Sequence, residues 1–243
     1  MAQEWTLEAV KKRLIEIKQK GFIPIPSGMH RSDDGIVGQI LEREFGVAEN
    51  NIRLGDLGKF ELKGIRKTST NLTLSHKKPE RGMTPIQIFD KFGYIRPSKS
   101  NPNVLKKKLF VTVKGTKENS VKLRLRGIGD AALDMVTGAT LLCEWDLTNS
   151  LKKIDQIILV FAESSAKTRD ASETFHYQKA FLLDGLKPIK DLVDKDIIVI
   201  DFCIDQPIDE SGKPLASVHD RGPHIRVPVA KLSKAYNRVE QIL

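Results

Sequence analysis

The sequence predicts an α/β (α+β) fold in which a mixed central sheet is flanked by helices, and three observations carry that prediction. Helical periodicity is confined to a few segments, β-rich segments separate them, and the two neither alternate regularly nor repeat. The chain has 243 residues, 40% of them hydrophobic and 29% charged, which is enough for one sizeable core.

Leu7, Val10, Leu14 and Ile17 recur at helical spacing and predict an amphipathic helix over 6–20, closed by Gly21 in a left-handed cap. A polar turn of Ser32, Asp33, Asp34 and Gly35 precedes a shorter helix, whose Ile40, Leu41 and Phe45 face a core until Gly46 stops it; this helix also carries Glu42. Strands are expected at 60–64, 109–113, 121–126, 157–162, 177–183 and 197–204, with helices at 85–92, 187–193 and 229–243. Segments 97–103 and 209–217, rich in Pro, Ser, Gly and Asn, read as loops. The start of the chain has no basic stretch followed by an apolar one, and no apolar run approaches the roughly 20 residues that span a bilayer, so a soluble, intracellular protein is expected. Cys143 and Cys203 have no neighbouring Cys or His at metal spacing and read as small buried hydrophobes.

The net charge of +9 is unevenly spread. From Leu62 to Arg126 there are 17 Lys and Arg against 3 acids, a local excess of +14 that leaves −5 for everything else. Such a segment suits a polyanion, because cations attract phosphate backbones whatever the base sequence. A solvated lysine-rich face fits the charge equally well.

The chemistry concentrates in Leu54-Gly-Asp-Leu-Gly-Lys-Phe-Glu-Leu-Lys-Gly64, a turn entering a strand. Strand alternation puts Glu61 and Lys63 on one face and Phe60 and Leu62 on the core face, while Asp56 sits at the turn. Two carboxylates and an ammonium then converge. Magnesium takes a few hard oxygen ligands and keeps waters, offsets charge growing on a phosphate under attack, and makes water a stronger nucleophile, with Lys63 placed to orient that water. An ordinary exposed strand with a Glu and a Lys is the competing reading of these residues alone. No phosphate-cradling glycine loop, paired-histidine zinc helix or nucleophile elbow is present, and Gly127-Ile-Gly129 is too short for a nucleotide fingerprint.

The turn-strand motif resembles that of the PD-(D/E)xK nucleases. Together with Asp33-Asp-Gly-Ile-Val-Gly-Gln-Ile-Leu-Glu-Arg-Glu-Phe-Gly-Val47, Asn71-Leu-Thr-Leu-Ser-His-Lys-Lys-Pro79 and His219-Asp-Arg-Gly-Pro-His-Ile-Arg226, it resembles the MvaI/BcnI group of type II restriction endonucleases, relatives of the repair nickase MutH. The likeness runs nearly end to end and is weakest over 114–142 and 207–218. Gly55 stands where the family name has Pro. The resemblance implies a restriction-endonuclease-like core over 1–243, with approximate lobes 1–115 (catalytic, the C-terminal helix packing on it) and 116–228 (recognition) around a DNA cleft. It implies Asp56 and Glu61 as metal ligands, Lys63 as the catalytic lysine and Glu42 as an accessory acid. The implied cofactor is Mg2+, with Mn2+ as a substitute and Ca2+ supporting binding without cleavage.

Of the five histidines, His76, His219 and His224 fall in these segments. A neutral imidazole presents a donor or an acceptor according to tautomer, so it can meet guanine or cytosine in the major groove. The resemblance implies that His76 and His219 face the central base pair of CC(C/G)GG, where tautomer switching would accept either orientation. Asp220, Arg221 and Arg226 complete a base-reading cluster, since Asp accepts from cytosine and Arg pairs bidentately with guanine; an Asp220–Arg221 ion pair is the rival reading. Lys77, Lys78, Arg81, Lys106, Lys107 and Lys108 are assigned to phosphates. The implied partner is double-stranded DNA, cut by a monomer in the cytoplasm of a bacterial or archaeal cell that also holds a companion methyltransferase, not a physical partner. A partner-dependent repair nickase and a non-catalytic DNA-binding protein remain open alternatives.

Overall fold

The computed structural model describes residues 5–27, 29, 35–47, 56–165 and 172–243. The expected turn at Ser32, Asp33 and Asp34, and Leu54 and Gly55 ahead of Asp56, lie outside the described residues. In chain order the elements are α1 (Leu7–Gln19), β1 (Ile23–Pro24), α2 (Gly35–Glu44), β2 (Glu61–Arg66), β3 (Asn71–Ser75), β4 (Arg81–Gly82), α3 (Pro85–Phe92), β5 (Tyr94–Pro97), β6 (Leu105–Val113) and β7 (Arg124–Ile128). There follow β8 (Ala132–Thr137), β9 (Thr140–Asp146), α4 (Thr148–Ile154), β10 (Gln156–Ser164), β11 (Thr174–Leu186), α5 (Ile189–Asp194), β12 (Val199–Ile208), β13 (His219–Pro228), a 3-10 turn (Val229–Lys231), α6 (Leu232–Ala235) and β14 (Tyr236–Gln241).

Two compact units divide the chain: Met1–Leu72, Asn149–Leu186 and Leu232–Leu243 form the first, Thr73–Thr148 and Lys187–Lys231 the second. The expected lobes 1–115 and 116–228 are contiguous, whereas these units interleave. The cause is β10, which pairs parallel with β2 (Ile157 opposite Glu61, Leu159 opposite Lys63) and so brings 149–186 into the unit of the N-terminal helices.

In the first unit the sheet order is β1-β11-β10-β2, with β14 also pairing with β11. Helix α1 forms as the periodicity predicts: Thr6 caps it by accepting from the Ala9 N–H at 3.2 Å, and Gly21 beyond its end has φ +70°. Val10, Leu14 and Ile17 join Val37, Ile40, Leu41, Phe60 and Leu62 in one core. Helix α2 approaches β2 closely because both surfaces carry glycine. A Cβ on Gly64 would stand 3.0 Å from the Val37 carbonyl oxygen and 3.2 Å from Gly38 Cα. The buried Tyr177 hydroxyl on β11 donates to that same Val37 carbonyl at 2.7 Å, tying α2 to the sheet. The far end of β2 is pinned by a buried pair, Arg66 Nε and Nη2 donating to Glu173 Oε1 and Oε2 at 3.0 and 2.8 Å.

The expected C-terminal helix over 229–243 is corrected. Beyond the single turn of α6 the chain extends as β14, with Tyr236 opposite Leu186 and Gln241 opposite Phe181. Val229, Leu232 and Tyr236 mimic helical spacing, but pairing with β11 satisfies the backbone of 236–241, and the buried Tyr236 hydroxyl donates to the Ile154 carbonyl at 3.0 Å.

The second unit holds two sheets, ordered β3-β13-β12-β6-β5 and β4-β9-β8-β7. Helix α3 starts with a Thr84–Gln87 capping box and Pro in its first turn, as Pro85 suggests. The strand expected over 121–126 begins only at Arg124. Lys122 has φ +63°, and Asn119 Oδ1 accepts from the N–H groups of Val121 and Leu123 at 3.1 and 3.0 Å, closing a turn there. Cys143 is buried, and burial pushes its thiol up to about 12, whereas Cys203 on β12 is only half-buried. No helix among the described residues is long and apolar enough to cross a membrane.

Removing one partner of a buried ion pair takes two hydrogen bonds and the opposing charge from the Arg66 guanidinium, so Glu173→Ala is expected to cost about 3–5 kcal/mol of folding free energy. Urea unfolding measures it; a midpoint equal to the parent's would contradict the pinning role of Arg66 and Glu173.

Candidate active site

Asp56 heads a tight turn. The Leu57 N–H donates to the Phe60 carbonyl at 2.9 Å, and Gly58 takes φ +73°, a conformation that favours glycine. The turn folds the Asp56 carboxylate back onto the start of β2, where Oδ2 accepts from the Leu62 N–H at 3.1 Å. Phe60, just before β2, and Leu62 on it enter the core as alternation predicts, and Glu61 and Lys63 share the opposite face. That face is not open at Glu61, which is only 3% exposed.

A cation stands at each Glu61 oxygen. Lys63 Nζ lies 2.7 Å from Oε1, and Lys153 Nζ, from α4, lies 3.1 Å from Oε2 and 3.9 Å from Asp56 Oδ1. Oε2 is buried and accepts no well-directed hydrogen bond, so the Lys153 contact is an ion pair by distance and not a hydrogen bond by angle. Lys153 was not legible in the sequence: its helix was not expected, and the adjacent pair Lys152 and Lys153 marks no face. Among the described residues no three His, Cys, Asp or Glu side chains converge on one point. Magnesium needs no such cage, since it commonly takes one or two carboxylates and keeps waters. Two neighbouring hard oxygens, one of them buried without a hydrogen bond and already facing a cation, fit that ion.

Glu42 sits half-buried on α2, on the turn after Gly38, its Oε1 3.9 Å from the place of a Gly38 Cβ, which is as far from the Gly64 carbonyl of β2. The helix therefore brings it towards the strand that carries Glu61. Burial first, then the charges of Glu44 and Glu42, push the Tyr177 hydroxyl above its ordinary range.

The second unit gathers the other residues singled out in the sequence. His76 follows β3 and meets the His224 ring edge-on, with centroids 4.6 Å apart. Arg226 is occupied: Nη1 donates to Asp201 Oδ2 at 2.7 Å, Nε to Thr73 Oγ1 at 3.2 Å, and Nη2 to His224 Nδ1 at 3.3 Å. A guanidinium only donates, so His224 Nδ1 carries no proton in this arrangement. Burial above all, with the charges of Arg226 and His76, pushes the His224 pKa down to about 4; Asp201 and a backbone hydrogen bond at Arg221 pull the other way. His219 opens β13 and is exposed, opposite Asp205. Asp220 accepts from the Gly222 N–H at 2.7 Å and lies 3.8 Å from Lys78 Nζ, while Arg221 is exposed.

The basic run does not form one patch. Lys106 pairs with Asp205 at 3.0 Å and Lys108 donates to the Pro97 carbonyl at 2.8 Å. Lys107, one step out of phase with them on β6, reaches Asp90 and lies 4.9 Å over the Phe89 ring of α3. Lys77 is drawn to Glu80 and the Asp146 carbonyl, whereas Lys78 and Arg81 are exposed, Arg81 standing 3.4 Å from Glu144.

The model of the MvaI/BcnI restriction endonuclease family matches residues 11–236 of this chain. Among solved structures, a restriction endonuclease MvaI–cognate DNA substrate complex superposes with a TM-score of 0.74 at 20% identity, covering 100% of both chains. Restriction endonuclease MvaI in the absence of DNA gives a TM-score of 0.48 at 19% identity, covering 100% of this chain and 99% of that one. No curated protein matches the sequence.

A histidine held neutral by the fold stabilises it above the ordinary histidine value, and that contribution is lost as pH falls from 6.5 through about 4. An NMR titration should therefore show the His224 ring still neutral at about pH 5, and His224→Gln should reduce the acid-side loss of stability. A ring that titrates at its ordinary value would overturn this assignment.

Proposed function

The chain belongs to the MvaI/BcnI restriction endonuclease family, and on that premise we propose that it is a type II enzyme that hydrolyses phosphodiester bonds in duplex DNA, with magnesium held by Asp56 and Glu61. The observation that supports this most is the buried Glu61 carboxylate beside Asp56, with an ammonium at each of its oxygens. Magnesium bound there supplies charge against the growing negative charge on the phosphate and favours deprotonation of water.

The chain's own groups do the rest. The turn at Gly58 and the Leu62 N–H fix Asp56, so both carboxylates are set before substrate arrives. Lys63, anchored on Glu61 Oε1, orients the attacking water and stabilises charge on the phosphate oxygens. The water oxygen bonds to phosphorus as the bond to one sugar oxygen breaks, leaving a phosphate monoester and a hydroxyl. Glu42 serves as an accessory acid from α2.

For recognition, His76 and His219 are assigned to the central base pair of CC(C/G)GG. Arg226 is committed within the protein, so the exposed Arg221, with Asp220, is the better base reader, and Arg226 instead fixes His224 behind His76. Lys77, Lys78, Arg81, Lys106 and Lys108 are assigned to phosphates; Lys107 is turned to α3. The enzyme is read as a cytoplasmic monomer with one catalytic site per chain. It then cuts one strand and rebinds reversed to cut the other.

Asp56→Asn, Glu61→Gln and Lys63→Ala should each abolish cleavage with magnesium while leaving DNA binding through the phosphate and base contacts largely intact, as gel shifts would measure. Loss of binding in all three would count against the catalytic assignment. Digestion of a sequenced plasmid should pass through a nicked form before the linear one, with ends mapping to CC(C/G)GG. Direct linearisation at every enzyme concentration would refute the monomer, and no cleavage without an added protein would favour a recruited nickase.

A further inference from the structure

The Lys153 ammonium lies where a metal held by Asp56 and Glu61 would have to enter, 3.1 Å from Glu61 Oε2 and 3.9 Å from Asp56 Oδ1. We propose that Lys153 is a positioning residue that acts as an internal counterion: it holds the two carboxylates together in the metal-free protein and must be displaced when a divalent cation binds. This rests on the reading of Asp56 and Glu61 as the metal ligands.

Three observations point the same way. First, the Glu61 side chain is 4% exposed, and a buried charge is costly unless an opposite charge stands beside it. Lys63 meets one oxygen; Lys153 is the ammonium that stands near both Glu61 Oε2 and Asp56 Oδ1. Second, the Lys153 contact is short but poorly directed, since Oε2 accepts no hydrogen bond. Charge holds the ammonium there, and a stronger charge can replace it. Third, Lys153 comes from α4, separate from the strand and turn that fix the carboxylates, and its side chain is 35% exposed. Its flexible stem lets the ammonium leave without moving the ligands.

A divalent cation held by Oε2 and Asp56 Oδ1 would meet the Lys153 ammonium beside those same two oxygens, where like charges repel, so Lys153 competes with the metal. A charge within about 4–6 Å changes a carboxylate's affinity for a proton by about one to three powers of ten, and a divalent cation feels that field twice over. Lys153 therefore weakens metal binding while supporting the empty site.

Calcium titrations by calorimetry without DNA test this, together with melting temperatures with and without calcium. Lys153→Met should bind calcium about tenfold more tightly than the parent or better. Its melting temperature without calcium should fall, and its rise on adding calcium should exceed the parent's; even a destabilised variant reports, because the rise is read against its own calcium-free value. Lys153→Arg, which keeps the charge, should stay close to the parent. If Lys153→Met binds calcium no more tightly while Asp56→Asn abolishes binding, the counterion role is overturned and the metal site stands. If Asp56→Asn leaves calcium binding intact, the metal-site reading fails and this inference with it.

Discussion

A charge sealed inside a protein is costly unless an opposite charge stands beside it, and that constraint on Glu61 organises the first unit. Strand β2 holds Glu61 at its start, where parallel pairing with β10 fixes the backbone and the Phe60 and Leu62 side chains anchor it in the core. With the backbone fixed, Lys63 arrives by alternation, and Asp56 arrives through the Gly58 turn and the Leu62 N–H. Gly64 then admits α2 so closely that a Cβ there would stand 3.0 Å from the Val37 carbonyl oxygen, which brings Glu42 towards the same strand. At the other end of β2, Arg66 repeats the solution in purely structural form, its guanidinium matched in two hydrogen bonds to Glu173. One strand thus carries a guanidinium–carboxylate pair at its end and a carboxylate flanked by two ammonium groups at its start.

The second unit applies a related constraint to a histidine. Arg226 has three protein partners, Asp201, Thr73 and His224, and its charge beside a buried imidazole opposes a second positive charge. His224 is thereby kept neutral with Nδ1 as acceptor, and it presents a fixed ring edge to His76.

Local signals made part of this legible in the sequence. The apolar spacing and capping residues of α1 and α3, and the alternation of β2, are properties of a few consecutive side chains, so the sequence states them directly. What it hid depends on distant pairing. Segment 229–243 has helix-like spacing, yet 236–241 is a strand because β11 offers it an edge. Strand β13 is absent from the expected strands; it contains Gly222 and Pro223, which a register shift between Phe202 and Ile204 and φ +75° at Gly222 accommodate. Lys153 joins the Glu61 cluster across some ninety residues of chain, and no local pattern encodes that meeting.

The basic segment shows how far a charge count differs from a charged surface. An excess of +14 over Leu62 to Arg126 suggests a field of free cations. Instead Lys106 is matched to Asp205, Lys77 to Glu80, Arg81 to Glu144 and Lys78 to Asp220, several of these acids coming from outside that segment. Acids contributed by β9, β12 and β13 thus offset lysines and arginines that the sequence displays alone. For these side chains, binding a phosphate is an exchange of one anion for another, so its net gain is the difference between the two contacts. The exposed pairs are the cheap ones to exchange: Lys78 is 66% exposed and 3.8 Å from its acid, and Arg81 is 76% exposed. Lys106, at 3.0 Å and 25% exposed, gives up more. Affinity for a polyanion on this surface is therefore set less by how many cations there are than by how weakly each is already held.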